Sequence, residues 1–108
     1  MAINTSTGNW NFVNNIAGTA PTIAALGANF PINTTDLYEL VLYSAPNGSS
    51  IGYRITNETT GNQTSGSVNT NIPGTSTFLA PVAWASNNVS TTQSVGFGLN
   101  KWYLESDF

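Results

Sequence analysis

Cysteine and histidine are both missing from this 108-residue chain. Without thiols there are no disulfides and no thiolate metal centre. Without imidazole, the Ser-His-Asp and Cys-His arrangements and histidine-bound zinc are all excluded. Charge is scarce as well: charged residues are 6% of the chain, against roughly 25% in ordinary soluble domains. The only cations are Arg54 and Lys101, set against Asp36, Glu39, Glu58, Glu105 and Asp107. Nucleic-acid binding needs several phosphate contacts from Lys and Arg, and two cations do not supply them. The same shortage argues against an anionic membrane surface. No apolar run approaches the roughly 20 residues that span a bilayer as a helix. Met1–Ser6 has neither a cationic start nor a hydrophobic stretch, so it is not read as a secretory signal.

Asn, Thr, Ser and Gly take the place of the charges. Hydrophobic residues still make up 40% and aromatics 11%, enough for a core, so a disordered chain is not expected. Residues 1–9 are small and polar and read as a flexible N-terminal arm, with one domain expected over 10–108. Trp10–Val13 is the first strand candidate. Residues 20–31, bracketed by Pro21 and Pro31, fit either a short strand or one helical turn. The strongest element runs from Asp36 to Ala45. Tyr38, Leu40 and Leu42 fall on one face, and Glu39, Val41 and Tyr43 on the other, as in a strand with one side in the core. Pro46-Asn47-Gly48 stops it, Asn-Gly being a tight-turn signal. Ile51, Tyr53 and Ile55 then alternate with Gly52, Arg54 and Thr56, which predicts a hairpin. Thr59–Asn62 is another turn, and Gly66–Asn71 a weak polar strand. Phe78–Trp84 is apolar on nearly every position, with Pro81 implying an edge or a bulge. Thr92–Glu105 alternates again and ends in Trp102-Tyr103-Leu104. Six or seven short strands and no amphipathic helix predict an all-β, single-domain antiparallel β-sandwich of jelly-roll type.

Little in this inventory carries chemistry. A glycosidase needs two carboxyl groups across the scissile bond. Glu39, Glu105 and Asp107 are the candidates considered, and solvated or ion-paired carboxylates are the plainer reading. Asn carbonyls and carboxylates are hard ligands suited to calcium, but no Asp-rich loop is present. No catalytic residue, cofactor or metal ligand is therefore assigned. Arg54 is expected either to pair with Glu39 across the hairpin or to make a contact between subunits. Trp10, Trp84, Trp102 and the four tyrosines are expected mostly in core or interface; an exposed one would favour glycan stacking. The Asn-x-Ser/Thr triplets, beginning at Asn4, Asn33, Asn47, Asn57, Asn62 and Asn88, are expected by chance in so Asn- and Thr-rich a chain.

Several segments are informative through their order. They are Asp36-Leu-Tyr-Glu-Leu, Ala45-Pro-Asn-Gly-Ser-Ser, Ile51-Gly-Tyr-Arg-Ile-Thr-Asn, Thr59-Thr-Gly and Asn71-Ile-Pro. Phe78-Leu-Ala-Pro follows, then Trp84, Asn87-Asn88 and the ending Trp102-Tyr-Leu-Glu-Ser-Asp-Phe. Over residues 10–108 this order resembles the C-terminal β-sandwich domain of bacteriophage tail-fibre and related phage structural proteins. The resemblance implies a non-enzymatic, receptor-facing appendage on the exterior of the virion. It implies a homotrimer in contact with other virion proteins and, on the host, with a surface glycan. It brings no catalytic residues. A carbohydrate-binding module and a small capsid decoration protein are the alternatives. In so uncharged a chain the subunit interface is expected to be apolar and aromatic with a polar rim. The residues expected to make it, or to touch a glycan, are Val41, Tyr43, Arg54, Phe78 and Trp84.

Overall fold

Period-two alternation becomes antiparallel pairing wherever a tight turn lets the chain fold back on itself. A computed structural model of the protein describes residues 2–4, 8–74, 76–77 and 98–105. The chain comprises two compact units, Met1–Thr75 and Ser76–Phe108. Six strands lie in the first unit: β1 (Ala2–Asn4), β2 (Asn9–Asn14), β3 (Thr22–Ala25), β4 (Tyr38–Tyr43), β5 (Ile51–Asn57) and β6 (Asn62–Val68). There is no helix among the described residues. The strands form two antiparallel three-stranded sheets, in the orders β1-β2-β3 and β4-β5-β6. Each is a meander of sequential neighbours. The crossover connections of a jelly roll do not occur among these six strands.

Three expectations are revised at the level of elements, the first being the weak polar strand expected over Gly66–Asn71, which is instead β6 over Asn62–Val68. Residues 1–9, read as a flexible arm, include β1, which pairs Ala2 with Asn11 and Asn4 with Asn9. A small polar segment can add to a sheet because the ladder bonds come from the backbone. Gly98–Glu105, the second half of the last predicted strand, is not a strand. Alternation gives a strand only where a neighbour completes the ladder, and among the described residues none pairs with this segment. The undecided stretch 20–31 resolves into β3 followed by a turn, in which the amide of Phe30 donates to the carbonyl of Gly27 at 3.1 Å. Gly27 sits there at φ 81°.

The β4–β5 hairpin forms as predicted, with Leu40 opposite Ile55 and Val41 opposite Arg54. Its turn differs in detail. Pro46 and Asn47 are the central residues, Asn47 has φ 53°, and the Gly48 amide donates to the Ala45 carbonyl at 2.8 Å. That is a type II turn, with Pro at the second position and a left-handed residue at the third. The β5–β6 hairpin turns through Glu58–Gly61, and its register places Tyr53 opposite Gly66.

The sheets meet through a small aromatic core of Phe12, Phe30, Tyr53 and Ile55, with Trp10, Ala24, Leu26, Tyr38 and Val68 packed around it. Phe12 of β2 stacks on Tyr53 of β5 with ring centroids 4.1 Å apart, and Trp10 meets Tyr38 edge-on at 5.9 Å. Polar ties join the sheets beyond the core. The Asn14 amide donates to the Thr70 carbonyl at 2.7 Å, and the Asn71 amide to that of Ala20 at 3.0 Å.

Candidate functional site

Register decides which side chains share a surface. On one face of the second sheet stand Glu39, Val41 and Tyr43 of β4, Gly52, Arg54 and Thr56 of β5, and Gln63, Ser65 and Ser67 of β6. Three of the five residues expected at an interface or glycan contact are therefore neighbours here. Val41 is half-buried, and Tyr43 and Arg54 are exposed. The Tyr43 ring lies over Gly52: a β-carbon there would sit 2.3 Å from its Cε2 and Cζ atoms. Arg54 Nη2 lies 3.5 Å from Glu39 Oε2 with both side chains about half exposed, so this diagonal pair contributes at most a few tenths of a kcal/mol. Phe78 and Trp84 lie outside the described residues.

The opposite face of the same sheet holds a feature that alternation did not reveal. Tyr38, Leu40 and Leu42 point the same way as Ile55, which is 0% exposed, yet Leu40 is 37% and Leu42 56% exposed. The first sheet covers β5 and the start of β4 and leaves the far half of β4 open. A hydrophobic pattern names the face that is eligible for burial.

The most connected polar cluster surrounds Asp36. Asn57, wholly buried, donates from Nδ2 to Asp36 Oδ2 at 2.8 Å. Asn57 Oδ1 accepts from the amides of Thr59 and Thr60 at 3.1 and 3.2 Å. Asn33 Oδ1 accepts from the amides of Thr35 and Asp36. The Tyr38 hydroxyl lies 2.5 Å from the Pro31 carbonyl and 3.1 Å from Asp36 Oδ2. Hydrogen bonds, from Asn57 first and Asn33 second, hold the Asp36 carboxyl below its ordinary value. Burial, and then the hydrogen bond and charge of Asp36, push the Tyr38 phenol up to about 12. Perturbed groups of this kind often mark chemical sites. Here every member faces another member, and the cluster fastens the Pro31–Asp36 segment to the β5–β6 turn. Nothing in the sequence singled it out, because its members are 24 residues apart between Asn33 and Asn57 and are joined only by the fold.

Glu39, one candidate acid, lies on a strand face beside Arg54. Glu105 accepts from the Tyr103 hydroxyl at 2.8 Å, which raises the phenol's pKa. Asp107 lies outside the described residues. Among the described residues no three His, Cys, Asp or Glu side chains gather as a metal site would require. Leu99, Trp102, Tyr103 and Leu104 are all exposed.

No family model, no curated protein and no solved structure matches this chain.

Proposed function

We propose that the chain is a non-enzymatic structural domain on the exterior of a bacteriophage particle, of tail-fibre or receptor-binding type. In this reading it assembles with copies of itself, as a trimer, and contacts other virion proteins. The two sheets joined through Phe12 and Tyr53 are the layers of a β-sandwich; jelly-roll connectivity, the finer proposal, would need crossover strands beyond the six sequential ones described. One observation carries the assembly: Leu40 and Leu42 are solvated on the face that buries Ile55. Large apolar side chains grouped in this way mark interaction surfaces more often than scattered ones do. Tyr43, at the end of the same strand, extends the apolar surface to the other face. The near absence of charge supports the same reading, because contacts between copies must then be apolar and hydrogen-bonded rather than ionic. Light scattering with sedimentation equilibrium on the full chain tests it. A trimer is expected, and a stable monomer at micromolar concentration would rule the assembly out.

The exposed rings of Tyr43, Trp102 and Tyr103 favour a second reading, a carbohydrate-binding module. Sugar C–H faces stack on such rings. A monomer that binds a glycan array and loses binding on Trp102→Ala would favour this reading over the first.

A further inference from the structure

Asn47 and Gly48 are the sole Asn-Gly pair in the chain; every other asparagine precedes a residue with a side chain. We infer that Asn47 is a spontaneous deamidation site and that the β4–β5 turn controls its rate.

The fold imposes the reactive pair. Asn47 holds φ 53° at the third turn position, where only Gly and Asn sit at ease. The next residue must be glycine for a separate reason: a β-carbon at position 48 would lie 2.8 Å from the Ala45 carbonyl oxygen and 3.1 Å from Ser44 Oγ. A glycine after asparagine leaves the following backbone nitrogen unshielded, and Asn47 itself is exposed. In the reaction the Gly48 nitrogen gives up its proton to solvent base and attacks Asn47 Cγ. The new N–C bond closes a five-membered imide as ammonia leaves with a proton. Water then opens the imide at either carbonyl, giving an aspartyl or an isoaspartyl residue. The sum is amide plus water to carboxylate plus ammonium, with no oxidant or cofactor.

The closed turn opposes the first step. Its Gly48 N–H is engaged with the Ala45 carbonyl at 2.8 Å, so the nitrogen is free to react only when the turn opens. Exposed loop hydrogen bonds open at low free-energy cost. Reaction therefore proceeds in the native protein, but more slowly than in the unfolded chain. The product adds one negative charge to a chain of formal net charge −3. The isoaspartyl form also lengthens the backbone inside the loop that joins β4 to β5.

The test incubates the full chain in mildly alkaline buffer, with and without denaturant, and follows peptide mass and isoelectric point. The peptide holding Asn47 is expected to gain about one dalton before any other asparagine peptide, several-fold faster in denaturant. Asn47→Gly keeps the left-handed turn residue and is expected to abolish the acidic shift. The inference is overturned if that peptide gains no mass, if another asparagine reacts first, or if folded and denatured rates are equal.

Discussion

Gly52 and Gly66 both lie beneath a tyrosine ring, and the same substitution at each should have unequal consequences. A β-carbon at Gly66 would stand 2.6 Å from the Tyr53 hydroxyl oxygen and 2.7 Å from its Cζ. Carbon atoms in contact prefer about 3.5–4.0 Å. Tyr53 is buried, and its other face is stacked on Phe12 at 4.1 Å. The ring has no free direction in which to retreat, so Gly66→Ala forces strain into the aromatic core. Overpacking of this kind costs roughly 1–3 kcal/mol, and the reduced freedom of the unfolded chain returns about 0.4–1 kcal/mol of that. A net loss of about 1–2 kcal/mol is expected. At Gly52 the clash is tighter on paper, 2.3 Å to Tyr43. Gly52 is itself buried under this ring, but Tyr43 is 59% exposed and has solvent to swing into, so Gly52→Ala should cost less than about 0.5 kcal/mol. Urea denaturation followed by circular dichroism measures both. With a slope of about 1.5 kcal/mol/M, Gly66→Ala lowers the midpoint by roughly 1 M while Gly52→Ala leaves it nearly unchanged. Adding Tyr53→Leu to Gly66→Ala should cost less than the sum of the two alone, since the second substitution removes the obstructed ring. Equal losses at the two glycines, or a larger one at Gly52, would refute the claim that burial of the ring sets the cost.

Asn57→Ala leaves the amides of Thr59 and Thr60 without their partner and takes one donor from the Asp36 carboxylate, which should cost about 1–3 kcal/mol, read in the same denaturation assay. Because the folded Asp36 carboxyl is held below its ordinary value of 3.8, its contribution is complete above that pH and is lost as pH falls below it. Asp36→Asn should flatten that acid limb in pH-dependent melting. Tyr38 has the opposite sign. Its folded value is about 12 against 10.0, so its contribution is complete below pH 10 and is lost as pH rises toward 12. Tyr38→Phe should remove that part of the alkaline loss. Arg54→Ala, which breaks only an exposed pair, should change stability by less than about 0.5 kcal/mol; a larger effect confined to the oligomer would instead assign Arg54 to a subunit contact. In the proposed assembly Trp84 is an interface residue, and Trp84→Ala is then expected to shift the protein toward monomer, since truncating an interfacial Trp often costs ~2 kcal/mol or more. A variant that keeps its fold by circular dichroism and its size by sedimentation would remove Trp84 from the interface.

The all-β character was legible in the chain because it rests on local quantities. Alternation at Tyr38–Tyr43 and Ile51–Asn57, together with a Pro-Asn-Gly stop between them, specifies two strands and their pairing without reference to anything distant. The missing cysteine and histidine were equally decisive about thiol and imidazole chemistry, since no fold supplies an absent side chain. The same local signals failed at Gly98–Glu105, where a strand was expected and none forms, because a ladder needs a second chain segment and none among the described residues pairs with this one. They also could not tell Leu40, more than a third exposed, from Ile55, sealed in the core, although the two stand opposite each other on one face. That difference depends on how far the other sheet reaches over β4. The Asp36–Asn57–Tyr38 cluster belongs to the tertiary structure for the same reason. Its members are ordinary polar residues in sequence, and they acquire buried hydrogen bonds and shifted ionisation only when β5 returns beside the segment that leads into β4.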